Sequence, residues 1–159
     1  MNYRIAVSDD IDYIYNAQII TYNDAKYHES IDKILDIITI GTSFIIEYNK
    51  EIIGYCLIHY LNNINNPPKC KEYDTVITDN LYIHDFVIIP KYQKTGISYK
   101  FAEFILNYYK NKVLNITLIS LPNAIQFWKN NKFIELQKIS DEILYTYDPS
   151  SIYMVYQES

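Results

Sequence analysis

The chain has 159 residues and a formal net charge of −5, the size of one domain able to bury a sizeable core. Arg4 is the only arginine. The balance disfavours nucleic-acid binding, which draws its affinity from clustered Lys and Arg, and no stretch approaches the ~20 apolar residues that span a bilayer. Half the residues are apolar and 18 are Tyr, a compositional bias that discounts any single surface tyrosine.

Taken in order, Tyr3 to Val7 predicts a strand. Ser8 predicts a helix cap, with Asp9 and Asp10 in the first turn and Ile11, Ile14, Tyr15 and Ile19 at helical spacing. Tyr22 to Glu29 is a polar loop. Ser30 caps a second helix with Ile31, Ile34, Leu35 and Ile38 on one face and Gly41 past its end. Ser43 to Tyr48 and Ile52 to Leu61 predict strands joined by a tight turn at Asn49-Lys50-Glu51. The segment 62–79, with Pro67-Pro68, is long for a connection and is expected to be a lid or a disordered insert. Asn80 to Ile89 predicts a strand, and Ile97, Phe101, Phe104, Ile105 and Tyr108 mark the face of a third helix. Ile116 to Leu121 predicts a strand, Asn123 to Asn131 a short helix, and Phe133 to Ile139 and Ile152 to Gln157 an antiparallel pair. There is no internal repeat, and a single domain over 1–159 is expected.

The most informative positions are Gln93-Lys94-Thr95-Gly96-Ile97-Ser98. A strand, a Gly-containing turn and a helix start form a socket for an anion, because the unpaired N–H groups and the positive end of the helix dipole converge there. A P-loop is excluded, since no Gly-Lys-Ser/Thr follows. A dinucleotide fingerprint would need more glycines and a later acidic residue.

The segment Leu81-Tyr-Ile-His-Asp-Phe-Val-Ile-Ile-Pro-Lys-Tyr-Gln-Lys-Thr-Gly-Ile-Ser98 resembles the strand and Gln/Arg-x-x-Gly-x-Gly/Ala turn of the GCN5-related N-acetyltransferase (GNAT) family. Asn123-Ala-Ile-Gln-Phe-Trp-Lys-Asn-Asn-Lys-Phe133 is similar to that family's Ala-Ile-x-Phe-Tyr-x-x-x-Gly-Phe helix. The resemblance covers nearly the whole chain. It implies an α/β (α+β) fold with a mostly antiparallel mixed sheet of about seven strands, about four helices and the order βααβββαβαββ. It also implies acetyl-CoA as acetyl donor. The turn Gln93, Lys94, Thr95, Gly96, Ile97 and Ser98 would cradle the pyrophosphate. The main chain of Phe86, Val87 and Ile88 would bind the pantetheine arm, and Asn123 and Trp128 would contact it. Ser98 stands where the family has Gly or Ala, and Lys132 where it has Gly.

Acetyl transfer to nitrogen requires a neutral amine. A lysine-like amine is neutral in about one molecule in 2,500 at pH 7, a penalty of roughly 4.6 kcal/mol unless a base assists. By the resemblance, the base is expected at His84, nine residues before Gln93, where related enzymes place Glu in a Leu-Tyr-x-Glu-Asp pattern and some arylalkylamine acetyltransferases place His. The alternative is a satisfied, half-buried strand histidine. Alternation puts Tyr82, His84 and Phe86 on one face and Ile83, Asp85 and Val87 on the other, unless the family's bulge intervenes. Tyr82 is a candidate anchor for a water wire, and Asp85 for a structural hydrogen bond. The family's tyrosine acid on the short helix is replaced by Trp128, whose indole cannot serve as one.

The resemblance implies an acceptor site built from the loop between the first two helices and from the last strands. That loop holds Tyr22, Asn23, Asp24, Tyr27, His28 and Glu29, which suit a cation or an aromatic-bearing amine, with Tyr22, Asp24 and Tyr27 as candidates. A surface loop of the same composition with no role is the alternative. A polyamine-like small amine is the expected acceptor, on the likeness of Leu81 to Val87 to diamine acetyltransferases. A non-catalytic acyl-CoA-binding module and a protein N-acetyltransferase are the alternatives. Cys56 and Cys70 lack metal-ligand spacing and are too few for a disulfide scaffold. No metal site is expected, and with no signal peptide apparent a cytoplasmic location is. Cys56 reads as core rather than an acyl carrier, and His28 and His59 as surface or local structure. Family members are often homodimers.

Overall fold

The computed structural model describes residues 1–158. Its strands are β1 (Asn2–Ile5), β2 (Phe44–Tyr48), β3 (Glu51–Tyr60), β4 (Asn80–Ile88), β5 (Asn115–Ser120), β6 (Phe133–Gln137) and β7 (Ile152–Tyr156). Its helices are α1 (Ile11–Thr21), α2 (Ile31–Thr39), α3 (Ile97–Tyr109), α4 (Ile125–Asn130) and α5 (Asp141–Leu144). The strands form one sheet in the order β1-β2-β3-β4-β5-β7-β6. Every pairing is antiparallel except β4 with β5. This is the expected element order, with the four-residue α5 added between β6 and β7.

Local chemistry accounts for the elements. Asn49 and Lys50 both lie at positive φ (50° and 66°), and Tyr48 pairs directly with Glu51, as in a two-residue hairpin turn matched to strand twist. The Ser30 hydroxyl accepts the Lys33 N–H at 3.3 Å, capping α2. Arg4 donates to both oxygens of Asp10 at 2.8 Å and to Glu47 at 2.8 Å, tying β1 and β2 to the start of α1. At the end of α4, Lys132 takes the left-handed position (φ 69°) usually left to Gly, and the Asn131 side chain donates to the Phe127 carbonyl.

Two cores flank the sheet. One packs α3 and α4 through Phe101, Ile105, Leu106, Tyr109 and Trp128 against Phe44, Ile46, Cys56, Ile83 and Ile88. The other packs α1 and α2 through Ile14, Ala17, Ile34, Ile37 and Ile38 against Tyr55, Leu57 and Val87. The expected faces hold at Ile14, Ile34, Ile38, Phe101 and Ile105, which are buried, but their edges differ. Ile19, Ile31, Leu35 and Tyr108 are exposed, while Ala17, Ile37 and Tyr109 are buried. A chain this rich in Ile and Tyr has more apolar residues than its core faces can take, so periodicity alone does not fix the face.

The alternation along β4 is interrupted by a bulge, the exception that the family resemblance allows. Leu57 pairs with Asp85 and Ile58 with Ile83, so His84 is the extra residue of a bulge. Leu81 and Ile83 face the α3 core before the bulge, and Phe86 and Ile88 face it after. Phe86 is therefore on the opposite face from Tyr82, and Asp85 joins Val87 on the α1 side. The segment 62–79 lies along the α5 end of the molecule, held by bonds from Gln137 to Asn65, Tyr153 to Ile64 and Tyr147 to Pro68.

Candidate active site

β4 and β5 pair only at Asn80–Asn115, Leu81–Ile116 and Tyr82–Thr117. Beyond Tyr82 the strands part, and β4 runs on for six residues with no ladder on its β5 side. A cleft of about 550 Å³ fills the fork, a size suited to a small molecule or cofactor arm. It brings together Tyr22, Asp24, Tyr27, His84, Phe86, Gln93, Asn123 and Trp128, all expected from the sequence. Tyr82, Val87, Ile88 and the segment 94–98 are not part of its lining. Val87 and Ile88 are buried strand residues, and 94–98 lies beyond Gln93 in the turn that leads into α3.

That turn fits an anionic group. Gly96 is the N-cap of α3 at φ 85°, with no side chain capping the helix, so the first-turn N–H groups have no intrahelical acceptor. A Cβ on Gly96 would meet nothing within 4 Å, so the space in front of the turn is open. Lys94 also has positive φ (61°). The Gln93 amide donates to the Ile88 carbonyl at 2.8 Å and Thr95 Oγ1 to the Tyr92 carbonyl at 2.6 Å, fixing the turn to the end of β4. A thirteen-residue helix presenting free N–H groups behind an open glycine suits a pyrophosphate.

On the cleft wall, Trp128 stands edge-on to Phe86 (5.2 Å), Phe127 (4.9 Å) and Phe133 (5.1 Å). Asn123 is exposed in the 3-10 turn Pro122–Ala124.

On the cleft floor, Glu29 Oε1 is 2.8 Å from His84 Nε2, and His84 Nδ1 is 3.3 Å from His59 Nε2. His59 Nδ1 lies 2.8 Å from the Tyr60 carbonyl, which can only accept, and 3.5 Å from the Asp74 N–H, which can only donate. The much shorter contact assigns the proton to Nδ1 and leaves Nε2 with a lone pair. His84 Nδ1 is then the donor to His59, and a proton lies between His84 Nε2 and Glu29 Oε1. Burial, with the neighbouring His84 charge adding to it, pushes His59 down to about 3, in keeping with its neutral role. His59 is thus an interior partner of His84, not a surface residue; its ring is 1% exposed and 5.1 Å from that of Tyr82.

Glu29 itself is 4% exposed. Its backbone exchanges two hydrogen bonds with the Gln18 amide, at 2.6 and 2.8 Å, which locks its position. Its second oxygen, Oε2, is buried with no partner. Asp85 accepts hydrogen bonds from Tyr22 and Tyr55, both at 2.5 Å. Burial pushes its carboxyl up, against the two hydroxyls and His84. The Tyr82 hydroxyl meets that of Tyr147 at 2.9 Å, and Tyr147 donates to the Pro68 carbonyl. Tyr147 lines the cleft although Tyr82 does not. Cys56 is fully buried and its thiol is pushed up, chiefly by desolvation, so it is no nucleophile. His28 bonds the Tyr22 carbonyl at 2.7 Å as local structure. Among the described residues there is no metal-type cluster and no helix long and apolar enough to cross a membrane.

Thr21, Cys70, Lys71 and Tyr147 line the cleft without being expected from the sequence, and Glu29, expected only as one of the polar residues of the acceptor loop, lines it as the partner of His84. Glu29 and His84 are 55 residues apart, and no local pattern couples them. The available signals for Glu29 are its place in the polar acceptor loop and its position directly before the Ser30 cap.

No curated protein sequence matches the chain. Solved structures do. The loading GNATL domain of CurA from Lyngbya majuscula is 14% identical, with 98% of this chain and 96% of that one covered and a TM-score of 0.83. The GphF GNAT-like decarboxylase in complex with isobutyryl-CoA is 12% identical over 98% of both chains, with a TM-score of 0.84. Arabidopsis thaliana Naa50, in complex with the bisubstrate analogue CoA-Ac-MVNAL, is 14% identical over 99% and 98%, with a TM-score of 0.72. These similarities establish a common fold. The model of the acetyltransferase (GNAT) family matches residues 11–133. With the forked sheet and the open turn before α3, that match shows that the chain belongs to the acetyltransferase (GNAT) family and is an acyltransferase whose donor is acetyl-CoA.

Proposed function

We propose that this single domain transfers an acetyl group from acetyl-CoA directly to a primary amine of a small, polyamine-like molecule. The observation that carries the reading is the position of His84. It lies two residues beyond the last β4–β5 pair, on the floor of the cleft that leads to Gln93. In this reading the main chain from Phe86 to Ile88 holds the pantetheine arm, and Gln93 to Ser98 hold the pyrophosphate. Asn123 and the Trp128 ring flank the arm. Tyr22, Asp24 and Tyr27 receive the acceptor, with Tyr22 steadied by Asp85. Tyr82 acts at one remove, anchoring Tyr147 at the cleft wall.

Holding amine and thioester together supplies the alignment. His84 serves as the proton relay that the amine requires, in concert with the groups on its two ring nitrogens. The CoA thiolate has a pKa near that of cysteine, about 8.5, and collects a proton from water; Trp128 in place of a tyrosine is compatible with turnover. Free Cys56 and Cys70 accord with a reducing, cytoplasmic setting.

The test is release of CoA thiol from acetyl-CoA against a panel of small amines and N-terminal peptides. The expected result is turnover with one or more small amines, lowered by about 10²–10⁴-fold in His84→Ala with acetyl-CoA binding retained. Preference for peptides would move the reading to a protein N-acetyltransferase. Acetyl-CoA binding with no thiol release from any acceptor, and nothing lost in His84→Ala, would sink it.

A further inference from the structure

We infer that Glu29 receives the acceptor as an ammonium ion and takes its first proton, so that the enzyme selects aliphatic cationic amines and His84 serves as the partner of Glu29. The inference rests on the acetyl-transfer reading above. Glu29 is 96% buried by area and lines the cleft, with one oxygen on His84 and the other without a partner. A buried carboxylate oxygen left unsatisfied costs free energy unless a ligand completes it. A second unpartnered buried oxygen, Thr21 Oγ1, lines the same cleft. The carboxylate oxygen can only accept and the hydroxyl can accept as well as donate, so both can receive bonds from a primary ammonium, which brings three N–H donors.

The titratable groups around Glu29 are His84 and Asp85 on β4, His59 on β3, Tyr22, Asp24 and Tyr27 after α1, Cys70, Lys71 and Tyr73 on the 62–79 segment, and Tyr147 after α5. Both nitrogens of His84 are already engaged, by His59 and by Glu29, so a substrate proton reaches the pair most directly through Glu29 Oε2. The step balances. One N–H bond of the ammonium breaks and its proton passes to Oε2. The freed lone pair forms the N–C bond, and the C–S bond breaks with its electron pair leaving on sulfur. The nitrogen's second lost proton ends on that thiolate. The proton on Glu29 returns to solvent.

The test compares wild type with Glu29→Gln and Thr21→Val on two acceptors, 1,4-diaminobutane, cationic at pH 7, and 2,2,2-trifluoroethylamine, neutral at pH 7. Acetyl-CoA affinity, measured by calorimetry, is expected to be unchanged in both variants. For the diamine, Glu29→Gln should lower kcat/KM at pH 7 by about 10²–10³-fold, bounded by the ~2,500-fold scarcity of free amine. For trifluoroethylamine the loss should stay under about 5-fold, because no proton needs removing before attack. The variant's pH profile with the diamine should climb in proportion to free amine while the wild-type profile levels off earlier. Thr21→Val should raise KM for the diamine by about 3–10-fold with kcat kept, the loss of one ground-state hydrogen bond. Equal losses on both amines, or parallel pH profiles, would overturn the role of Glu29 and leave acetyl transfer standing. No turnover of any amine by wild type would overturn acetyl transfer and this inference together.

Discussion

Lowering the pH from 7 to 5 should destabilise the protein through His59, a residue only 1% exposed. In the unfolded chain a histidine has a pKa near 6.5 and is about 97% protonated at pH 5. In the folded protein, burial and the adjacent His84 hold His59 at about 3, so it stays neutral. The sign follows from linkage: the unfolded state binds more protons between pH 3 and 6.5, so stability falls as pH falls through that window. At pH 5 the protonation difference is worth about 1.5 pH units at 1.36 kcal/mol each, roughly 2 kcal/mol. Urea unfolding at pH 7 and pH 5, for wild type and His59→Gln, isolates the effect. The variant is less stable at pH 7, because His84 loses its Nδ1 partner, but its loss between pH 7 and 5 should be smaller than wild type's by about 2 kcal/mol. Imidazole NMR should show one ring that keeps an unprotonated Nε2 down to pH 5. Equal pH slopes for the two proteins, or a His59 ring titrating near 6.5, would refute the reasoning.

Two substitutions test the scaffold of the cleft. Gly96→Ala should weaken acetyl-CoA binding and cost about 1 kcal/mol of stability by strain at φ 85° rather than by collision; calorimetry and thermal unfolding read the two. Gly54→Ala should be the more damaging to the fold. Its Cβ would come within 2.3 Å of the Val87 carbonyl and 2.7 Å of Ile88 Cδ1, forcing β3 and β4 apart at a cost of about 1–3 kcal/mol or more. Urea denaturation should show that loss, together with weaker acetyl-CoA binding.

What was legible in the sequence was whatever local chemistry decides. The Asn49-Lys50 turn, the Ser30 cap and the Gln93 to Ser98 turn each depend on a few neighbouring residues, and all three stand where the sequence put them. The bulge at His84 was less visible, because one extra residue shifts every later side chain of β4 to the other face without changing the apolar pattern. Least visible were the roles of Glu29, expected only as one polar residue of the acceptor loop, and of His59. Their partnership with His84 joins the loop after α1, β3 and β4, and only packing brings these together. Trp128 was read from the family likeness as a lost acid. The structure adds what it does instead, as one of a set of aromatic rings at the cleft wall.

The central claim is that the fork between β4 and β5 directs acetyl-CoA from the α3 turn to His84. A crystal structure of the protein with acetyl-CoA tests it most directly. The account predicts pyrophosphate oxygens within about 3 Å of main-chain N–H groups between Gln93 and Ser98. It predicts the pantetheine arm along Phe86 to Ile88, and the thioester carbonyl over the floor formed by Glu29 and His84. A cofactor bound outside the fork, or a thioester on the far side of Trp128 from His84, would contradict it.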